Sequence, residues 1–437
     1  MHKEYRTIAD MDRSSLIFRA PAGSVFLGEI IVVKLASGET RLGRITRLQA
    51  DRIFAEIFAG TRGMSTEDAV VPQGRPLEAI FHPEHLLGRI TDPFGNPLDG
   101  RPPVDQGETV LLGGPAINPA SRDMPSGMIH TLVPAIDLFN TLVTGQKIPI
   151  FTIPGEPSNR LIARIATQAQ TDVIVVALIG VRFDEYIFFK EYFEETGAMD
   201  NVRLIVNTAA DPLAARLAVP DRALAEAEQW AFLGKRVLVA LTDMTMFAEA
   251  LKVLNVEQGN IPSRAGYPGS LYSDLAKRYE TAADLTTACG GSITLIGATT
   301  MPGGDVTNPV PDNTGYITEG QFYLVNSIID LAGSLSRLKQ LVQGKETRED
   351  HPELMNILVR MRAESQSRKE SFGKKTEDDY RYFRFAQEFD ARLMDLNISM
   401  PIEQALETGW EVLANHFAAG EIRIRQELIE KFGKWSK

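Results

Sequence analysis

The sequence predicts an α/β chain in three parts: a small N-terminal β-barrel, a central parallel sheet threaded by helices, and a helical C-terminal end. Three changes of pattern carry that prediction. Residues 1–75 hold short β-branched runs broken by turn residues, at a spacing of roughly ten. From 76 to 345, apolar strand-like runs alternate with stretches whose apolar residues recur at three and four. From 346 to 437 the strand runs vanish and helical periodicity remains.

In the first part, residues 28–35 form an apolar, β-branched run, and Ser37 and Gly38 supply a turn. Residues 40–48 and 53–58 follow, separated by Asp51 and Arg52. In the second part the buried strands are expected at 149–152, 173–179, 203–207, 237–242 and 292–299, with helices at 183–196, 221–233 and 244–256. Right-handed crossovers would place these strands in one twisted sheet, with ligands beyond the strands' carboxyl ends. In the third part, the charged stretch 361–375, which contains Gly373, reads as an exposed loop or frayed helix. Helices are expected over 376–395 and 401–434, the second starting at Pro401 just after Ser399. No long repeat is visible.

Bulk composition sets limits. At 437 residues the chain exceeds one core, so two or three domains are expected, and the 44% hydrophobic content is ample for burial. A net charge of −11 argues against nonspecific nucleic-acid binding and against an anionic-membrane surface. The single Cys289 excludes an internal disulfide and a cysteine metal cluster, and reads as a small buried hydrophobe. Apolar runs such as 173–181 are too short to span a bilayer, and the N-terminus has no apolar signal core. A cytosolic chain is expected, compatible with membership of a membrane-attached complex.

Residues 146–166, QKIPIFTIPGEPSNRLIARIA, are laid out as a phosphate loop: strand, glycine-containing turn, amphipathic helix. The chemistry is missing from the layout. Such a loop needs glycines whose N–H groups face phosphate, a lysine for the β/γ oxygens and a hydroxyl for Mg²⁺. Here Gly155 stands almost alone, and Pro154 and Pro157 remove two N–H donors. Ser158, Asn159 and Arg160 occupy the place of the lysine and hydroxyl. The chain therefore reads as a nucleotide-binding fold that does not cleave its own nucleotide.

Asp243, after the apolar run 237–242, could hold a Mg²⁺ shell or cap the helix that starts near Met244; without a loop lysine or hydroxyl, the cap is preferred. Asp184 and Glu185 read as first-turn charges of a helix. Arg337 lies in the small, apolar context SLSRL, which suggests a tight loop presenting one guanidinium; spacing alone makes it a surface or ion-paired arginine. Of the six histidines only His82 and His85 are closely spaced, and Pro83 between them breaks helical spacing, so no metal site is expected.

Several stretches resemble the non-catalytic B subunit of V-type and A-type rotary ATPases: GRITDPFGNPLDG at 88–100, QKIPIF at 146–151, LTDMT at 241–245, GYPGSLYS at 266–273, LAKRYE at 275–280, PDNTGYITEG at 311–320, SLSRL at 334–338 and TREDH at 347–351. The resemblance covers nearly the whole chain and is densest from 88 to 351. It implies a β-barrel over 1–75, a RecA-like domain with a degenerate phosphate loop over 76–345, and a helical domain over 346–437. It further implies a hexamer alternating three B chains with three catalytic A subunits, attached to central-stalk and peripheral-stalk subunits. ATP or ADP with Mg²⁺ would lie at the interface, held mainly by the A subunit, and Arg337 matches the family's arginine finger, acting in trans. No metal site and no nucleic-acid or membrane insertion is implied. The strand at 173–179 ends in Gly180–Val181–Arg182, where rotary catalytic subunits have Gly-Glu-Arg; a valine cannot accept a proton from water.

The chain departs from the family at three points. Residues 152–155 replace a Ser-Gly-Ser-Gly type turn, Ala265 replaces a second arginine after Arg264, and the segment between Tyr323 and Ser334 is short. Two other classes fit this chain less well. A catalytic hexameric ATPase needs the loop lysine and the carboxylate, and this chain has neither. A RecA-like nucleic-acid motor of the termination-factor kind needs an aromatic RNA platform and a basic channel, which an acidic chain with few N-terminal aromatics does not offer; filter binding of single-stranded RNA at low salt separates that reading.

Overall fold

The structure is a computed structural model and describes residues 3–435. Six antiparallel strands form the N-terminal sheet, in the order Ile8–Met11, Ser15–Arg19, Arg52–Ile57, Thr40–Gln49, Ile30–Lys34, Ala69–Pro72. A bridge between Tyr5 and Val70 joins the two edges, with paired N–H···O bonds of 2.8 Å, and closes the barrel. The three strands expected here are present with ends shifted by one or two residues; the outer strands at 8–11, 15–19 and 69–72 carried too short a pattern to be read. Phe18, Ile31, Val33 and Ile57 fill the interior.

The central sheet contains seven parallel strands in the order Gly320–Val325, Lys147–Thr152, Gly291–Thr300, Arg236–Thr242, Val173–Val181, Val202–Thr208, Ile90–Thr91. All five expected strands are among them. Val173–Val181 is buried along its whole length, and each such aliphatic side chain contributes about 1.5–3 kcal/mol relative to exposure. The edge strand Gly320–Val325 was not foreseen, because GQFYLV is short and alternates only partly. It carries two antiparallel additions, Ile328–Ile329 and Leu335–Ser336.

Of the expected helices, Phe183–Glu195 and Met244–Glu257 form as read. The one expected at 221–233 begins earlier, spanning Leu213–Phe232 with Pro220 inside. Pro220 removes one N–H from the ladder, but the buried side chains from Ala214 to Ala231 hold the helix against the sheet.

The C-terminal region corrects the sequence reading most. Residues 361–370 are no loop: one helix runs His351–Glu370, and only 371–376 is irregular. Leu354, Ile357, Leu358 and Met361 anchor it in the core shared with the sheet. Two of its arginines are paired across to the segment that follows, Arg362 with Asp390 (2.8 Å) and Arg368 with Asp379 (2.9 Å). The next helix is Glu377–Phe389, capped by the Thr376 hydroxyl and followed by a wider turn at Asp390–Met394. Ser399 makes no capping bond to the helix Ile402–His416, and 401–434 is two helices rather than one, the second being Gln426–Phe432. Cys289 is half-buried, not buried, with its thiol 3.2 Å from the Ala231 carbonyl.

Candidate functional site

An open cleft of about 530 Å³ lies beyond the carboxyl ends of the central strands, bordered by Thr152, Val181, Thr242 and Thr300. This is where a parallel sheet places ligands. The turn after Lys147–Thr152 forms its rim. Gly155 sits at φ 98°, a conformation that favours glycine. The helix Ser158–Gln168 begins with no side-chain cap.

The polar groups of this cleft bond to each other. Asn159 donates to Glu185 (3.2 Å) and accepts from the Thr242 hydroxyl (3.0 Å). Glu156 accepts the N–H groups of Asn326 (2.8 Å) and Ser327 (2.7 Å). Those two residues have φ of 52° and 60°, so their amides form a small anion nest, filled here by the chain's own carboxylate. Asp243 accepts from the Thr245 amide (2.8 Å), the Thr300 amide (3.2 Å) and the Thr300 hydroxyl. It is therefore the cap of Met244–Glu257, as preferred from the sequence. Burial pushes the Asp243 carboxyl up, against the pull of those hydrogen bonds.

Val181 is buried beside this network and offers no base. Arg182 is exposed and paired with Asp184 (3.0 Å), and Glu185 accepts the Arg182 amide at the start of its helix. Glu156, Glu185, Asp243 and Glu249 line the cleft against the single guanidinium of Arg182. These residues do not fit a Mg²⁺-triphosphate: no ammonium faces the phosphates, and four carboxyl groups would oppose them.

Arg337 lies elsewhere. Its amide donates to the Glu319 carbonyl (2.9 Å) and its Nη1 to the Thr318 carbonyl (3.1 Å), at the amino end of Gly320–Val325. The side chain is exposed, and no ion pair engages it among the described residues. The neighbouring strand Lys147–Thr152 runs between this point and the degenerate loop, a separation of roughly 16 Å at about 3.3 Å per residue. Arg337 and the chain's own loop thus occupy opposite ends of one strand.

Arg264 is tied to Asp312 (2.8 Å) and to the Thr307 carbonyl (2.6 Å), a surface clamp onto the start of the helix Pro309–Ile317. His82 and His85 stack with ring centres 3.7 Å apart, and His82 Nδ1 accepts the amides of Glu84 and His85. Among the described residues no group of three or more His, Cys, Asp or Glu could hold a metal ion. Sequence reasoning missed Glu156 and the residues around Arg337. For the latter the hint was the place of Gln146 and Lys147 in QKIPIF and of Thr318 and Glu319 in TGYITEG, whereas Glu156 lies outside both motifs; bonded partners here are up to 190 residues apart in sequence.

Barrel, parallel sheet and stripped phosphate loop together define a nucleotide-binding α/β protein of the ATP synthase kind. A model of the ATP synthase alpha/beta family, nucleotide-binding domain, matches residues 133–332. The V-type ATP synthase beta chain of Borrelia turicatae is 47% identical over 417 residues, covering 94% of each chain. V-type ATP synthase beta chain 1 of Treponema pallidum is 47% identical and the beta chain of Treponema denticola 45%, each over 99% of both chains. The chain belongs to the V-type ATP synthase beta chain family.

Proposed function

We propose that this chain is the non-catalytic B subunit of a V/A-type rotary ATPase, packed between catalytic A subunits in a three-plus-three hexamer. It supplies Arg337 in trans to ATP synthesis or hydrolysis coupled to proton or sodium transport. The observation that carries the reading is the separation within one chain of a phosphate loop stripped of its cationic and hydroxyl groups from an exposed arginine pinned only through backbone carbonyls. A chain built this way has nothing to hold its own triphosphate and one planar donor to offer a neighbour's.

The nucleotide with Mg²⁺, held mainly by the A subunit, supplies the transferring phosphoryl group. Arg337 meets the charge that develops on that group with two parallel N–H donors, an arrangement a lysine cannot reproduce. Central-stalk and peripheral-stalk subunits complete the assembly, placing this chain in the cytoplasmic head, peripheral to the membrane. Among the described residues no helix is long and apolar enough to cross a bilayer.

Steady-state turnover of the assembled complex tests the reading. Arg337→Ala should assemble and lose on the order of 10²-fold or more in turnover, with a smaller change in nucleotide affinity; Arg337→Lys should fail in the same way. An assembled Ala variant within about twofold of the parent, a barrier change under ~0.5 kcal/mol, would reduce Arg337 to a surface residue. The purified chain alone should show no ATP turnover, and turnover that survives Arg337→Ala there would sink the non-catalytic assignment.

A further inference from the structure

We infer that Lys147 and Glu319, backed by Gln146, form a seat that fixes the direction of the Arg337 guanidinium, and are positioning residues for the reaction; this rests on the trans-acting reading of Arg337 above. Arg337 is held by two consecutive carbonyls, those of Thr318 and Glu319. Both are immobilised by residues far away in sequence. The Glu319 carboxylate bonds the Lys147 ammonium (2.5 Å) and the Lys147 amide (2.9 Å), while the Glu319 amide donates to the Lys147 carbonyl (3.2 Å). The Lys147 side chain is 9% exposed and also reaches Glu280 at 3.4 Å. Buried Gln146 donates to the Glu319 carbonyl (3.1 Å) and to the Ser336 hydroxyl (3.0 Å), which itself donates to the Thr141 carbonyl (2.9 Å).

A second observation fixes the approach of the arginine's own strand. Gly320 has φ +148°, and a Cβ there would stand 2.1 Å from the Leu335 carbonyl oxygen. Leu335–Ser336 therefore packs directly onto the Gly320 backbone, one residue before Arg337. The residues just before the arginine and the carbonyls it bonds are locked, while its Nε and Nη2 remain without partners among the described residues.

This arrangement adds little stability by itself. Lys147 gives up most of its hydration while Glu319, 28% exposed, keeps part of its own, and such a pair contributes little net. What the pair provides is geometry: an exposed arginine otherwise samples many rotamers, and a misplacement of about 1 Å at a reacting centre can cost about 10²-fold.

The test is turnover of the assembled complex. Lys147→Met should lower turnover by about tenfold with KM for ATP changed less than about twofold, the split expected when only transition-state contacts are lost. Lys147→Arg, which keeps the cation, should restore most of the rate. In an Arg337→Ala background, Lys147→Met should change the residual turnover by less than about twofold, because the group being positioned is gone. Undiminished turnover in assembled Lys147→Met, or a full further loss in the Arg337→Ala background, overturns the seat and leaves the arginine reading standing. Parental turnover in Arg337→Ala itself overturns the arginine reading and the seat with it. If Lys147→Met does not assemble, the isosteric Glu319→Gln is judged by the same outcomes.

Discussion

At the scale of single residues, the motif TREDH is a structural joint. His351 is fully buried, with Nε2 2.8 Å from the Leu138 carbonyl and Nδ1 2.8 Å from the Thr347 hydroxyl. The carbonyl requires the proton on Nε2, so Nδ1 accepts from Thr347. Asp350, next to it, accepts the Trp410 indole N–H (2.6 Å) and both arms of Arg348 (2.7 Å). Burial holds the His351 imidazole below its ordinary range, with the Arg348 and Lys339 cations adding to that effect, and the Leu138 carbonyl and Asp350 opposing it. A histidine with a lowered folded pKa contributes fully above about pH 6.5 and loses that contribution as pH falls through this value. The denaturation midpoint of the parent should therefore fall on going from pH 7.5 to 5.5. The gap between the parent and His351→Gln, which has no imidazole to protonate, should narrow over the same interval. A gap that stays constant or widens would show that His351 is not the titrating group.

At the scale of elements, GRITDPFGNPLDG is bound to the long helix Leu213–Phe232 by charge inside the core. Arg203 and Glu226 are 0% exposed and 2.8 Å apart, and Arg222 also bonds Glu226. Arg203 continues to the Thr91 hydroxyl (2.8 Å), and Arg89 closes on Asp99 (2.6 Å). Burial pushes the Glu226 carboxyl up, but Arg203 and Arg222 outweigh it and hold the group below its ordinary range. Glu226→Gln keeps the shape and strands two buried guanidinium groups. The expected loss is about 3–5 kcal/mol, read from the urea midpoint; a loss under about 1 kcal/mol would mean that water or a rearranged partner compensates. Ion pairing also explains the misread helix His351–Glu370, where the part-exposed Arg362 and Arg368 bond Asp390 and Asp379 of the segment that follows.

At the scale of the molecule, one face of the sheet shares a continuous apolar core with the C-terminal helices, through Leu354, Phe389, Trp410 and Leu413. The other face packs Trp230, Phe247 and Tyr279 beneath Leu213–Phe232 and Met244–Glu257. Phe322 and Leu324 of the strand Gly320–Val325, at whose amino end Arg337 sits, belong to the core shared with the C-terminal helices. Co-expressed with a partner that has an intact phosphate loop, the chain should appear in native mass spectra as three copies plus three. A stable homohexamer with full activity would contradict the proposed division of labour.

The amino-acid sequence determined the class of this protein by itself. Strand and helix periods follow from which side chains must be buried, so all five expected strands of the sheet appear where the apolar runs are. The loss of loop chemistry was equally legible, because it depends on residue types at fixed spacing: Gly155, Pro157, Asn159 and Val181 suffice. Tertiary structure alone decided what replaced that chemistry. Glu156 filling the amide nest at Asn326 and Ser327, Asn159 bridging Thr242 and Glu185, and Lys147 gripping Glu319 all join residues distant along the chain. Hydrogen bonds and ion pairs act over a few ångströms in space whatever the separation in sequence, so no local pattern encodes them. The same reason separates the two roles of arginine here. Arg203 and Arg337 are alike as letters, and only the fold buries one against Glu226 and leaves the other facing outward, held by two carbonyls.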